Sequence, residues 1–136
     1  MITINSKSNK RLIIEGLVND KKANFLIDTG ASIALIDKSK AKKYKLVSGR
    51  EYNGTIIGAG GELRNLRMCD TFVKIQHKTI SQFILADIES IVNSIKRETG
   101  IEILGIISLP QMKFAGINID ANDNLIILEW LLTINK

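Results

Sequence analysis

The chain has 136 residues, 45% apolar and 24% charged, with a formal net charge of +5. That length and balance predict one folded domain with a real core and exclude a disordered chain. One cysteine, Cys69, excludes an internal disulfide, and with the single His77 it offers no spaced set of metal ligands, so no metal is expected.

The chain opens Met-Ile-Thr-Ile-Asn, without the basic start and apolar block of a secretory leader. No apolar run is long enough to cross a bilayer, and Glu129 interrupts the one at residues 125–132. The expected setting is therefore cytoplasmic and reducing, with no membrane partner.

Taken in chain order, residues 11–18 and 23–28 are apolar runs around the polar turn Asn19-Asp20-Lys21-Lys22, a hairpin pattern. Residues 33–36 form another short strand. Asp37 is placed to cap a short helix over residues 38–45, and its lysines 38, 40, 42, 43 and 45 read as a solvated face. Thr55-Ile56-Ile57 leads into the glycine-rich tip Gly58-Ala59-Gly60-Gly61 and out through Glu62-Leu63, a hairpin whose backbone can lie against a ligand. Residues 67–75 and 78–86 suggest a further hairpin around Gln76-His77, with His77 a solvated strand residue. Ile88, Ile91, Val92 and Ile95 recur at helical spacing, which predicts an amphipathic helix over 88–99 ending at Gly100. Residues 101–107 read as a strand with Gly105 inside it, a mark of close backbone approach. Ser108-Leu109-Pro110 starts a short helix over 109–114. Residues 117–120 and 125–128 form a last hairpin around Ala121-Asn122-Asp123-Asn124.

The segment that carries chemistry is Phe25-Leu26-Ile27-Asp28-Thr29-Gly30-Ala31-Ser32. A buried strand delivers one carboxylate to the start of a tight turn, and buried strands rarely end on a charge without a purpose. Thr29 adds a short hydroxyl, and Gly30 lets two backbones approach closely around the carboxylate. Asp-Thr-Gly also arises by chance at strand ends, so its weight comes from the order of elements around it.

That order is Asp28-Thr29-Gly30-Ala31, then a glycine-rich hairpin, then Ile103-Leu104-Gly105, then a short helix. It resembles the retropepsin-like aspartic proteases, over about residues 11–128. The resemblance implies an all-β fold: a small closed barrel with a flap hairpin and one to three short helices. It implies an aspartic endopeptidase active as a homodimer on an extended peptide or protein, with no cofactor. Asp28 would be the catalytic carboxylate, paired with its copy in the second chain. Thr29 would bond across the dimer axis, with Gly30 and Ala31 completing the loop. Ile57, Gly58, Ala59, Gly60 and Gly61 would form the flap over substrate. Leu104 and Gly105 would lie beneath the catalytic loop, and the terminal segments 1–4 and 125–132 would pair across the interface. Ser32 and Ile106 stand where retroviral members carry an acid and an arginine, so that ion pair is replaced on both sides. The helix at 88–99 is an insertion relative to the smallest members.

Two other readings compete. A non-catalytic module of the same fold would bind peptides or only dimerise. Nucleic-acid binding through the glycines and lysines is disfavoured: no Lys-Ser/Thr follows the glycines, and aromatics are only 5% of the chain.

Overall fold

The computed structural model describes residues 1–58, 61–63 and 65–130, with the side chains of 57, 58 and 61 left aside. The chain begins with β1 (Ile2–Asn5), then the hairpin β2 (Ile13–Val18) and β3 (Lys21–Asp28). The turn is Asn19-Asp20 alone, because both adopt left-handed φ values of 50° and 66°, and Lys21 and Lys22 join the strand. Two such residues match the twist of the flanking strands, and Asn and Asp tolerate this region best after Gly.

β4 (Leu35–Asp37) follows. Asp37 caps as expected, its Oδ1 accepting from the Ser39 amide at 3.0 Å. The helix it starts is split into a 3-10 turn (Lys38–Lys40) and a single turn α1 (Ala41–Tyr44), which stops at left-handed Lys45. β5 (Ser48–Glu51) leads to the expected glycine-rich hairpin, β6 (Ile56–Gly58) and β7 (Gly61–Leu63).

The expected long hairpin over 67–86 is instead four short strands: β8 (Arg67–Cys69), β9 (Val73–Ile75), β10 (Lys78–Ile80) and β11 (Phe83–Ala86). Side-chain and backbone bonds at Asp70 and Thr71 bend the first arm. Thr71 Oγ1 accepts from the Val47 amide at 2.7 Å, and the Asp70 amide donates to Val47 O at 2.8 Å. Gln82, at φ 67°, bends the second arm. His77 lies in the turn rather than in a strand, its ring 4.4 Å from that of Trp130.

α2 (Glu89–Thr99) is the predicted amphipathic helix, burying Val92 and Ile95 and ending at Gly100 with φ 78°. The strand expected over 101–107 is displaced to β12 (Gly105–Ser108). α3 (Leu109–Ala115), β13 (Ile117–Asp120) and β14 (Leu125–Leu128) complete the chain.

Among the described residues, nine strands form one sheet in the order β10-β9-β2-β3-β12-β4-β11-β8-β5, curled as a half-barrel. Neighbouring residues of its central strands face opposite sides. Ile14, Phe25 and Ile27 enter one core cluster; Ile13, Leu26 and Ile106 enter another. Both faces are covered, which is why these strands read as continuous apolar runs. α2 seals the second cluster and α3 packs on the first.

β1, β14 and β13 form a separate sheet with β14 in the middle. Ile2 pairs with Leu128 and Asn5 with Leu125 inside one chain. The two segments expected at an interface thus pair with each other within the chain, and the outer edge of β1 stays open. Residues 131 and 132 lie outside the described residues.

Candidate active site

The centre of the fold is an interlock of three strands. β3 and β4 flank the loop 29–34, yet they do not pair with each other. β12, from far later in the chain, runs between them, parallel to β3 and antiparallel to β4. The register sets Gly105 opposite Ile36 and Ser108 opposite Asp28. A side chain at 105 would collide with the Leu35 carbonyl oxygen, so only glycine lets the strands close here. Leu104, 3% exposed, donates its amide to Asn24 O and accepts from the Asp37 amide. Leu104 and Gly105 thus lie against the strands that carry the loop.

Asp28 ends β3 half-buried, with its loop turned back on it. The Gly30 amide donates to Asp28 Oδ1 at 2.9 Å, and the Ala31 amide donates to Asp28 O at 3.1 Å. A Cβ at position 30 would stand 3.3 Å from Oδ1, so a larger residue crowds the carboxylate. No side chain within the chain bonds Oδ2 or the exposed Thr29 hydroxyl among the described residues. The carboxylate is fixed through one oxygen and open at the other.

The loop is held from beneath by α3. Leu109 donates its amide to Ala31 O at 3.1 Å. Ser108, 2% exposed, caps the helix in a reciprocal pair with Gln111, whose Nε2 also reaches Ser81 O at 2.6 Å. The sequence reading took Ser108-Leu109-Pro110 as a helix start but missed Gln111. The signal was present: Ser followed three residues later by Gln is a capping-box pattern.

The hairpin stem belongs to the same neighbourhood. Ile56 and Leu63 pack on the cluster that also receives Ala31, Ile33 and Tyr52. Gly58 pairs with Gly61 across the hairpin. Ala59 and Gly60 lie outside the described residues, so the tip of the expected flap is not described. Ile106 is 5% exposed in the apolar core, and Ser32 is exposed, in keeping with the absence of an ion pair there. No group of three His, Cys, Asp or Glu with metal-binding geometry occurs among the described residues. No described helix is long and apolar enough to cross a membrane.

The interlock of three strands under a single Asp-Thr-Gly loop defines the retropepsin-like fold. Residues 14–110 match the protein family described as aspartyl protease. The Pol polyprotein of equine infectious anemia virus (strain Wyoming) is 32% identical over 88 residues, 64% of this chain but 7% of the polyprotein. The solved protease of that virus, in complex with an inhibitor, superposes with a TM-score of 0.60 at 23% identity, covering 86% of this chain and 99% of that one. A retropepsin-like aspartic protease from Rickettsia conorii superposes at 0.55 with 22% identity, covering 93% and 88%. The chain belongs to the retropepsin-like aspartic protease family. Members of that family typically act as dimers on peptide substrates.

Proposed function

We propose that this chain is an aspartic endopeptidase that works as a homodimer on extended peptides, without metal or organic cofactor. The observation that carries this is the Asp28 carboxylate, held at Oδ1 by the Gly30 amide and open at Oδ2. One chain supplies one such group, and the chemistry needs two. In the dimer, Asp28 faces the same residue of the second copy. Two carboxylates this close share one proton, because both cannot ionise cheaply. The ionised partner takes a proton from a water molecule, which attacks the scissile carbonyl carbon. The protonated partner donates to the carbonyl oxygen, giving a tetrahedral diol; the partner that took the water's proton then gives it to the amide nitrogen, the C–N bond breaks, and a hydroxyl proton of the diol returns to the other carboxylate as acid and amine leave without a covalent acyl-enzyme.

Thr29 is exposed and has no side-chain partner among the described residues, as suits a hydroxyl that bonds across the dimer axis. The β6–β7 hairpin acts as the flap, its backbone pairing with an extended substrate as an added strand. A cytoplasmic, reducing setting fits Cys69, a free thiol 5% exposed.

A peptide-library cleavage assay with Asp28→Asn as control tests the reading. The wild-type chain is expected to cleave, and the variant to lose at least about 10²–10⁴-fold in rate with unchanged circular dichroism and sedimentation. A wild-type dimer that binds peptides but cleaves none would instead be a non-catalytic binding module.

A further inference from the structure

We infer that Gln111 is a positioning residue for the Asp28 loop: its side chain closes a ring of hydrogen bonds that grips the loop at two points. This rests on the endopeptidase reading and adds a residue to it. Two bonds of the ring join backbones. The Leu109 amide donates to Ala31 O at 3.1 Å, and the Ile84 amide donates to Ala34 O at 2.9 Å. The third is made by a side chain, from Gln111 Nε2 to Ser81 O at 2.6 Å. The ring therefore runs through residues 31–34, 81–84 and 109–111, and the first of these segments directly follows Asp28-Thr29-Gly30.

The two backbone grips come from different elements. Leu109 opens α3, Ile84 lies in β11, and Ser81 stands just before β11. Gln111 fastens the first turn of α3 to the turn at Ser81, so both grips hold the loop from one frame. Gln82 makes that turn at φ 67°. A residue other than glycine keeps such a conformation only where its surroundings fix it. The bond to the adjoining Ser81 carbonyl supplies that constraint.

The side chain performs two tasks and uses both ends of its amide. Oε1 accepts from the amide of Ser108, the register partner of Asp28, at 3.2 Å, and Nε2 donates to Ser81 O. Chemistry can separate the tasks. A glutamate keeps the acceptor and serves a capping box as well as glutamine does. Ionised, it has no donor and sets a charge against the Ser81 carbonyl; protonated, its hydroxyl donates again. A role in capping α3 alone survives that substitution at every pH. A role in the ring returns only in acid.

The test is Gln111→Glu in the full-length chain, read as a ratio to wild type at each pH so that the profile of the catalytic pair cancels. At neutral pH the variant is expected to lose about tenfold in kcat with KM little changed. The Leu109 and Ile84 amides are expected to lose about tenfold in hydrogen-exchange protection, while Val92 and Ile95 of α2, outside the ring, keep theirs. Both deficits are expected to close as pH falls through the ordinary glutamate value of about 4.3. Gln111→Met, with neither donor nor acceptor, is expected to show them at every pH. Wild-type kcat and protection in Gln111→Glu at neutral pH, or deficits that do not respond to pH, would overturn the inference. So would a rise in KM with kcat unchanged, which makes Gln111 a substrate contact, or an equal loss of protection in α2, which makes it a general stabiliser. Protection that follows the expected course in a chain that cleaves no peptide keeps the ring and defeats the endopeptidase reading.

Discussion

Gly105 lies so close to the carbonyl oxygen of Leu35 that no other residue fits between them. The contact locks β12 between β3 and β4, the strands that present the Asp28 loop. Gly105→Ala forces backbone atoms apart rather than a flexible side chain. A loss of about 1–3 kcal/mol is expected from such overpacking, read as a lower urea midpoint. A midpoint equal to wild type would mean that the interlock yields without cost.

The dimer is expected to form along β13. β14 is already paired on both edges, so β1 and β13 are the open edges of that sheet. The Glu129 amide bonds Gly116 O, and the ladder alternates from there, which turns the backbone groups of Ile117 and Ile119 outward. β13 also follows α3, the helix bonded to the Asp28 loop through Ala31, so a two-fold axis there joins rigidly linked elements. Amides of Ile117 and Ile119 are expected to exchange slowly at high protein concentration and quickly on dilution. Protection at Thr3 and Asn5 instead would place the interface on β1.

Cleavage is expected to show a bell-shaped pH–rate profile, because the pair needs one proton and only one. Among neighbours of the carboxylate, the Gly30 amide donates, and Ala31 has no hydroxyl to add a second bond. A rate rising steadily into alkaline conditions would contradict a shared proton.

Stability carries a second, weaker pH dependence. Lys40 Nζ lies 3.0 Å from Glu102 Oε2, joining the 3-10 turn after β4 to the segment before β12. The hydrogen bond and charge of Lys40 lower the Glu102 pKa from 4.5, and those of Glu102 raise the Lys40 pKa from 10.5. The Glu102 contribution is therefore present above its ordinary value and lost as pH falls through the lowered one. The Lys40 contribution is present below its ordinary value and lost as pH rises through the raised one. Both ends are largely solvated, so Glu102→Gln is expected to cost only about a few tenths of a kcal/mol at pH 7. Melting curves in high salt should erase the difference between variant and wild type; a difference that persists would mean the pair acts by packing.

Local chemistry made the key elements legible. The strand ending at Asp28, the glycine that lets β12 in, and the face of α2 are all written in short windows. Asp37 as a cap and Gly100 as a stop are equally local. What stayed hidden depends on partners distant in sequence. Residues 67–86 look like two long strands because their apolar pattern runs on, but Val47 bonds the backbone amide of Asp70 and the side-chain hydroxyl of Thr71, and the first strand breaks there. Nothing in the residues next to Gly16 marks it, yet a Cβ there would stand 2.8 Å from Lys74 O, on a strand nearly 60 residues away. Tyr52, Met68 and Phe114 meet at one groove only after folding, and no spacing rule joins them.

The placing of β12 also sets a timetable. Asp28 emerges early in synthesis, but its register partner Ser108 comes about 80 residues later. At about 5–20 residues per second, the loop waits on the order of several seconds for the strand that closes beside it. Contacts at such separation form late and slow folding. A nascent chain, or a fragment cut before Gly105, holds the acidic residue without the frame that aims it. The fold thereby postpones any proteolytic competence until most of the chain exists.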